Sequence, residues 1–69
     1  MITAITVEYR GRPMLKRTVN AIMEAADPGT WGHDHPLEWS CPILAASAAE
    51  SIRFTLGRGY TVTTHERTR

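Results

Sequence analysis

The stretch SCPILAASAAESIRFTLGRG, residues 40–59, decides the fold, because a helix start, a helical apolar pattern and a helix stop follow one another in it. Ser40 can cap free backbone N–H groups, and Pro42 suits the first turn of a helix. Gly57 and Gly59 tolerate a left-handed φ and are expected to end the helix. At 100° per residue, one arc of this helix collects apolar side chains. They are Leu44, Ala45, Ala48, Ala49, Ile52 and Leu56.

Two apolar residues of this helix fall outside the main arc. Ile43 and Phe54 project together with Ser47 on the side away from it. A second apolar patch on one helix predicts a second contact surface, suited to a partner. The alternative, in which Phe54 folds over a neighbouring loop of its own chain, fits the sequence about as well.

Residues 2–9, ITAITVEY, predict a half-buried strand, because Ile5, Val7 and Tyr9 alternate with Thr6 and Glu8. Residues 10–13, RGRP, then break the strand. The segment 14–26 allows two interpretations. In the first it forms one helix with Pro13 at its start; in the second, 10–11 is a hairpin tip, 14–19 a second strand, and Asn20 caps a shorter helix.

We favour the longer helix for residues 14–26, because a strand would place Arg17 between Leu15 and Val19 on the inward face. Residues 27–29, DPG, end that helix, and a structured loop with two tryptophans and no periodicity follows at 31–39.

A second strand is predicted at residues 60–64, YTVTT, before a frayed basic tail at 65–69. The predicted fold is therefore a single α+β domain over residues 1–69, ordered β-α-loop-α-β, with a two-stranded sheet and two helices.

Size and composition limit how this domain can be stabilised. A chain of 69 residues leaves much apolar surface wet, and its one cysteine excludes an internal disulfide. With no specific metal motif in view, association of two copies is the stabilising device left, so we expect a homodimer. The net charge of +1 disfavours nucleic acid and anionic membranes as partners. Neither an export signal nor a run of 18 apolar residues is present, so we expect a cytoplasmic location.

Catalytic and metal chemistry find little support in the sequence. His33, His35 and Cys41 could together bind a metal, but their spacing is not that of a zinc finger or ribbon. Cys41 near a helix start could be a nucleophile, yet nothing orients a base toward it, and a buried structural cysteine is the better interpretation. Phosphate-loop and serine-hydrolase motifs are absent. We therefore expect no enzyme, no cofactor and no metal.

The two tryptophans carry the protein-binding hypothesis. Trp31 and Trp39 flank a loop that so small a core has difficulty burying, and tryptophan is enriched among residues that dominate interface affinity. The alternative is that both cover the core. Arg53 and Arg58, near the end of the helix, could complete the surface by pairing with a partner carboxylate.

A DNA-binding repressor of the ribbon-helix-helix type is the second hypothesis, because a strand precedes two helices and basic residues cluster over 10–17. Thr6, Glu8 and Arg10 would then face the major groove. Glu8 would meet phosphates, the loop between the helices is long, and a C-terminal strand is added, so this hypothesis is the weaker one.

The segments ITVEYRGRP, residues 5–13, and HPLEWSCPILAASAAESI, residues 35–52, together with the short chain, resemble the quorum-sensing anti-activators among the host-takeover proteins of Pseudomonas-infecting phages. The resemblance implies a dimeric, non-enzymatic inhibitor of a quorum-sensing transcription regulator and, in some members, of a pilus-assembly ATPase. It also implies that Trp39 and Ser40, at the junction of loop and helix, lie at a contact surface.

Overall fold

The chain folds into a four-stranded antiparallel sheet and two helices, in a computed structural model that describes residues 1–29, 31–32 and 35–67. The elements follow the chain in this order: β1 Ile2–Tyr9, β2 Arg12–Pro13, α1 Lys16–Ala26, β3 Glu38–Trp39, α2 Pro42–Leu56 and β4 Tyr60–Arg67. The α+β class, the two helices and the pairing of the first and last strands are confirmed. The expectation of only two strands was wrong, because the sheet also contains the short strands β2 and β3.

Strand β1 lies at the centre of the sheet and has the predicted bounds. Along one edge it pairs with β4 over its whole length, from Ile2 opposite Arg67 to Tyr9 opposite Tyr60. Along the other edge β3 pairs near its start and β2 near its end. Between those two short strands, the Ile5 N–H donates to the Leu37 carbonyl at 2.9 Å. Both edges of β1 are therefore occupied.

The turn after β1 is a tight hairpin whose tip is Arg10-Gly11, with φ of 52° and 83°. Positive φ at both central residues matches the right-handed twist of the flanking strands. The hairpin tip is thus confirmed, but the second strand at 14–19 is wrong, since β2 is only two residues long. Helix α1 begins at Lys16, so Pro13 does not start it. Pro13 instead lies in β2, at the sheet edge, where a missing N–H is tolerated.

Helix α2 begins and ends close to the predicted positions. Cys41, and not Ser40, is the N-cap residue, and no side chain caps the helix, so the predicted role of Ser40 was wrong. Pro42 occupies the first turn, as predicted. Gly57 ends the helix with φ of 80°, and its N–H donates to the Arg53 carbonyl at 2.9 Å. The local stop signal was therefore sufficient to place this end.

Strand β4 runs to Arg67, three residues beyond the predicted strand. The interpretation of 65–67 as a frayed tail was wrong, because β1 is long enough to pair with these residues. An ion pair between Arg67 and Glu38 joins the end of β4 to β3. Residues 68–69 lie outside the described part of the chain.

One face of the sheet packs against both helices and forms the core. Alternation along paired strands places Ile5, Val7 and Val62 on this inner face, while Thr6 and Thr63 lie exposed on the other. The buried core cluster consists of Ile5, Val7, Val19, Met23, Trp31, Leu37, Ala49, Ile52 and Val62. The inner face therefore fixes which side of α2 is buried and which side is left to solvent.

Candidate protein-binding surface

Helix α2 presents an apolar stripe to solvent. Phe54 is 91% exposed, Ile43 78% and Leu44 60%. Ile43 and Phe54 are eleven residues apart, which is about three turns and about 16 Å along the axis, so they lie on the same side of the helix. With Ser47 between them they form what we call the α2 stripe: Ile43, Leu44, Ser47 and Phe54. The prediction that Ile43 and Phe54 lie together outside the buried face is confirmed, and Phe54 covers no loop in the described part of the chain.

An open groove of about 280 Å³ runs beside the α2 stripe. Its walls come from the end of α1, the loop and one flank of α2. They are Asp27, Trp31, Trp39, Leu44, Ser47, Ala48 and Ser51. Leu44 and Ser47 belong to both the stripe and the groove, so the two form one continuous surface. Apolar walls with a few hydroxyls and one carboxylate suit an apolar side chain of a partner, with a polar or cationic group beside it.

Three rings of the loop pack together under this groove. The centroid of the His35 ring lies 4.8 Å from the ring centroid of Trp31 and 5.0 Å from that of Trp39. The two indoles pack edge to face, with their ring centroids 6.1 Å apart. Trp31 is 4% exposed and belongs to the core, whereas Trp39 is half-buried. Trp31 offers almost no surface to a partner, so for this residue the alternative interpretation, in which the indole covers the core, is the correct one. Trp39 keeps an accessible side in the groove wall.

His35 holds the loop in place through two hydrogen bonds. Its Nδ1 accepts from the Leu37 N–H at 3.0 Å, and its carbonyl accepts from the Asn20 side-chain amide at 2.8 Å. Leu37 is buried with a φ of 56°, a conformation that a branched side chain rarely adopts. The His35 ring therefore fixes an unusual turn that places Leu37 in the core. Burial lowers the pKa of His35 below its ordinary value of 6.5.

This arrangement predicts a loss of stability in mild acid. Because the pKa of His35 is lowered by folding, the unfolded chain binds the proton first as the pH falls. The contribution of neutral His35 is complete above pH 6.5 and is lost as the pH falls from 6.5 through the lowered pKa. Denaturant midpoints measured from about pH 7.5 to about pH 5 should fall for the native chain.

Substitution of His35 isolates this effect. The variant His35→Asn keeps an acceptor near the Nδ1 position but does not titrate, so its midpoint should change less over the same range. His65→Gln, in β4, removes a histidine outside this loop and should retain the fall of the midpoint in acid. An equal acid response in the native chain and in His35→Asn would show that other groups cause it.

The two arginines of the predicted surface lie away from the groove. The Arg53 guanidinium donates to the Val62 carbonyl at 2.9 Å and to the Glu50 carboxylate at 2.5 Å, on the flank of α2 that faces β4. Arg58 is exposed in the turn between α2 and β4. Ser40 is exposed two residues before the start of α2. The structure thus brings Trp39 and Phe54 onto one side of α2 and leaves Arg53 on the other flank.

Leu44 lies on the surface, although helical spacing predicts it in the buried apolar arc of α2. Its side chain is 60% exposed. Leu44 lies at the edge of that arc, about 80° from Ile52, the fully buried centre of the helix face. This position at the edge of the buried arc is the feature of the sequence that could have indicated its exposure.

The metal hypothesis receives no support from the described residues. Within 1–29, 31–32 and 35–67, no group of three His, Cys, Asp or Glu side chains is placed to hold an ion. His33 lies outside these ranges, so the proposed set of His33, His35 and Cys41 falls partly outside the described residues. Cys41 is a half-buried free thiol at the start of α2.

No protein family, curated protein or solved structure matches the chain. Among the residues described, neither helix is long and apolar enough to cross a membrane. The geometry of the surface is therefore the basis for a functional proposal.

The ribbon-helix-helix hypothesis requires the first strand to pair with its counterpart in a second subunit. Here β1 is paired with β4 along one edge and with β2 and β3 along the other. No edge of β1 is open to a second copy. The pairing of β1 therefore does not fit the ribbon-helix-helix arrangement.

Proposed function

We propose that this chain is a small, non-enzymatic inhibitor that binds another protein through the α2 stripe and the adjoining groove. The main support for the proposal is the exposure of Phe54. This side chain, the chain's single phenylalanine, is 91% exposed, so its burial does not stabilise the fold. Covering such a side chain contributes about 1.5–3 kcal/mol, so a partner that buries it gains affinity. Exposed aromatic and aliphatic anchors beside a pocket are typical of protein interfaces.

The groove supports a partner with an apolar anchor. Trp39 and Leu44 offer apolar walls, and Asp27 adds a carboxylate at the end of α1. A leucine or phenylalanine of the partner would fit between these walls, with a basic residue near Asp27. An amphipathic helix provides this combination, since its apolar side chains recur every three to four residues.

The resemblance of residues 5–13 and 35–52 to the phage-encoded anti-activators supports a proposal for the partner. We propose a phage-encoded protein that acts in the host cytoplasm as a homodimer and blocks a quorum-sensing transcription regulator. A pilus-assembly ATPase is a second target of the same kind. Blocking needs only stable occupancy of a surface that the regulator uses, so no catalytic group is required.

Titration of the purified chain into a purified quorum-sensing regulator tests this function. We expect saturable binding with a dissociation constant on the order of micromolar or tighter, together with reduced output of a regulator-dependent reporter. The assay is repeated with the pilus-assembly ATPase. Absence of binding to both proteins at about 100 µM would overturn the assignment of the partner.

A further inference from the structure

Strand β4 presents an edge of the sheet with no strand paired to it in the described part of the chain. The Val62 carbonyl, which accepts from Arg53, points away from β1. Because backbone groups alternate along a strand, the N–H and C=O groups of Tyr60, Thr64 and Glu66 point the same way. A row of outward donors and acceptors therefore runs along the open edge of β4.

This edge has only some of the features that protect a sheet against strand pairing. Natural proteins protect edge strands with proline, bulges, short length or charged side chains, and of these β4 has the charges of Glu66 and Arg67 near its end. β4 is eight residues long, contains no proline and pairs with β1 without a break in register. Four consecutive residues, 61–64, are β-branched, which favours an extended backbone. Arg53 covers one carbonyl, and an oxygen with two lone pairs can accept a second hydrogen bond.

We propose that a second copy of the chain occupies this edge, with the two β4 strands antiparallel across a two-fold axis at Thr64. The proposal rests on the homodimer in the proposed function and names its interface. In this register Thr64 faces its counterpart, Val62 faces Glu66 of the second copy, and Thr63 faces His65 of the second copy. Two four-stranded sheets then form one sheet of eight strands.

Charge complementarity selects this register. Val62 and Glu66 lie on the inner face of the sheet, since the strand alternates and Val62 is in the core. Glu66 of the second copy would therefore approach the Arg53 guanidinium, which lies 2.9 Å from the Val62 carbonyl. The two-fold axis produces this ion pair twice. Like charges are not brought opposite each other at any of the paired positions.

The flank of α2 beside this edge leaves room for the second helix. Ala46 is seven residues, or about two turns, before Arg53, so the two share one side of α2. Ala46 is exposed and small. Both copies of α2 would lie on the same face of the joined sheet, with their Arg53 flanks toward each other and their grooves on the outer sides, since Leu44 lies about 180° around the helix from Arg53. Each α2 stripe would thus stay accessible to a partner in the dimer.

Cysteine cross-linking tests the register directly. In a Cys41→Ser background, Thr64→Cys places two thiols at the axis, at the roughly 5.5 Å Cα separation that a disulfide spans. Thr61→Cys is the matched control, since its two copies are offset by six residues, or roughly 20 Å. Both threonines are exposed in β4. Oxidation should cross-link the Thr64→Cys variant into a covalent dimer and leave the Thr61→Cys variant uncross-linked.

Charge exchange tests the ion pair. Glu66→Arg should raise the dimer dissociation constant about tenfold by placing two cations together, and the double variant Arg53→Glu with Glu66→Arg should restore dimerisation. A native chain that is monomeric in light scattering at about 100 µM overturns the dimer itself. If the native chain is a dimer but Thr64→Cys does not cross-link and Glu66→Arg leaves the dissociation constant unchanged, this interface alone is overturned. Neither result affects the regulator titration, which reports on the α2 stripe.

Discussion

Replacement of Trp31 with alanine is expected to lower the free energy of unfolding by about 3–5 kcal/mol. The indole is 4% exposed and packs in the core cluster, so its removal leaves a cavity between the loop and the helices. The remaining rings cannot fill it, because His35 is held by Leu37 and Asn20. For a domain this small, such a loss approaches the whole stability. Urea denaturation followed by circular dichroism measures it.

Phe54→Ala is the matched control for this experiment. Both changes remove a large aromatic side chain, but Phe54 is 91% exposed, so its removal should alter the free energy of unfolding by no more than about 0.5 kcal/mol. If Trp31→Ala and Phe54→Ala had equal effects on stability, the assignment of one aromatic to the core and the other to the surface would be wrong.

Local signals in the sequence placed the helices and the long strands well. A proline in the first turn and a glycine with a positive φ at the end are properties of a few adjacent residues, so α2 was bounded correctly to within a few residues. The alternation in residues 5–9 likewise depends only on which side chains face the core. The stripe at Ile43 and Phe54 followed from the same helical geometry.

Features that depend on distant residues were missed. Strands β2 and β3 are two residues long, too short to show a period, and exist because β1 offers backbone groups at its second edge. The extension of β4 to Arg67 depends on the length of β1 in the same way. No local rule places a positive φ at Leu37, where the His35 ring and core packing hold the turn.

The candidate surface was predicted only in part for the same reason. Helical spacing showed that Phe54 lies apart from the buried arc, but it could not show whether a loop covers it. Trp31 and Trp39 look alike in sequence, and only the packing of the loop separates a buried indole from a groove wall. Arg53 points to the Val62 carbonyl because α2 lies beside the open edge of β4, a tertiary relation.

The change Phe54→Ser is expected to weaken partner binding by about 30- to 100-fold while leaving the fold intact. A residue that dominates an interface contributes about 2 kcal/mol or more on truncation, and Phe54 is the most exposed of the large apolar residues described. Serine removes the ring and keeps a side chain that water solvates well. Titration calorimetry with the regulator measures the loss, and light scattering should show the same molar mass as for the native chain.

Leu15→Ser provides the control that separates the α2 stripe from general surface hydrophobicity. Leu15 is 61% exposed, close to the 60% of Leu44, but it precedes α1 and lies outside both the stripe and the groove. Its replacement should leave the affinity within a factor of about two, whereas Leu44→Ser should reduce the affinity clearly. If Leu15→Ser weakened binding as much as Phe54→Ser, the partner would be recognising exposed apolar groups in general, and the α2 stripe would not be a specific site. If neither change had an effect, the partner would bind elsewhere on the chain.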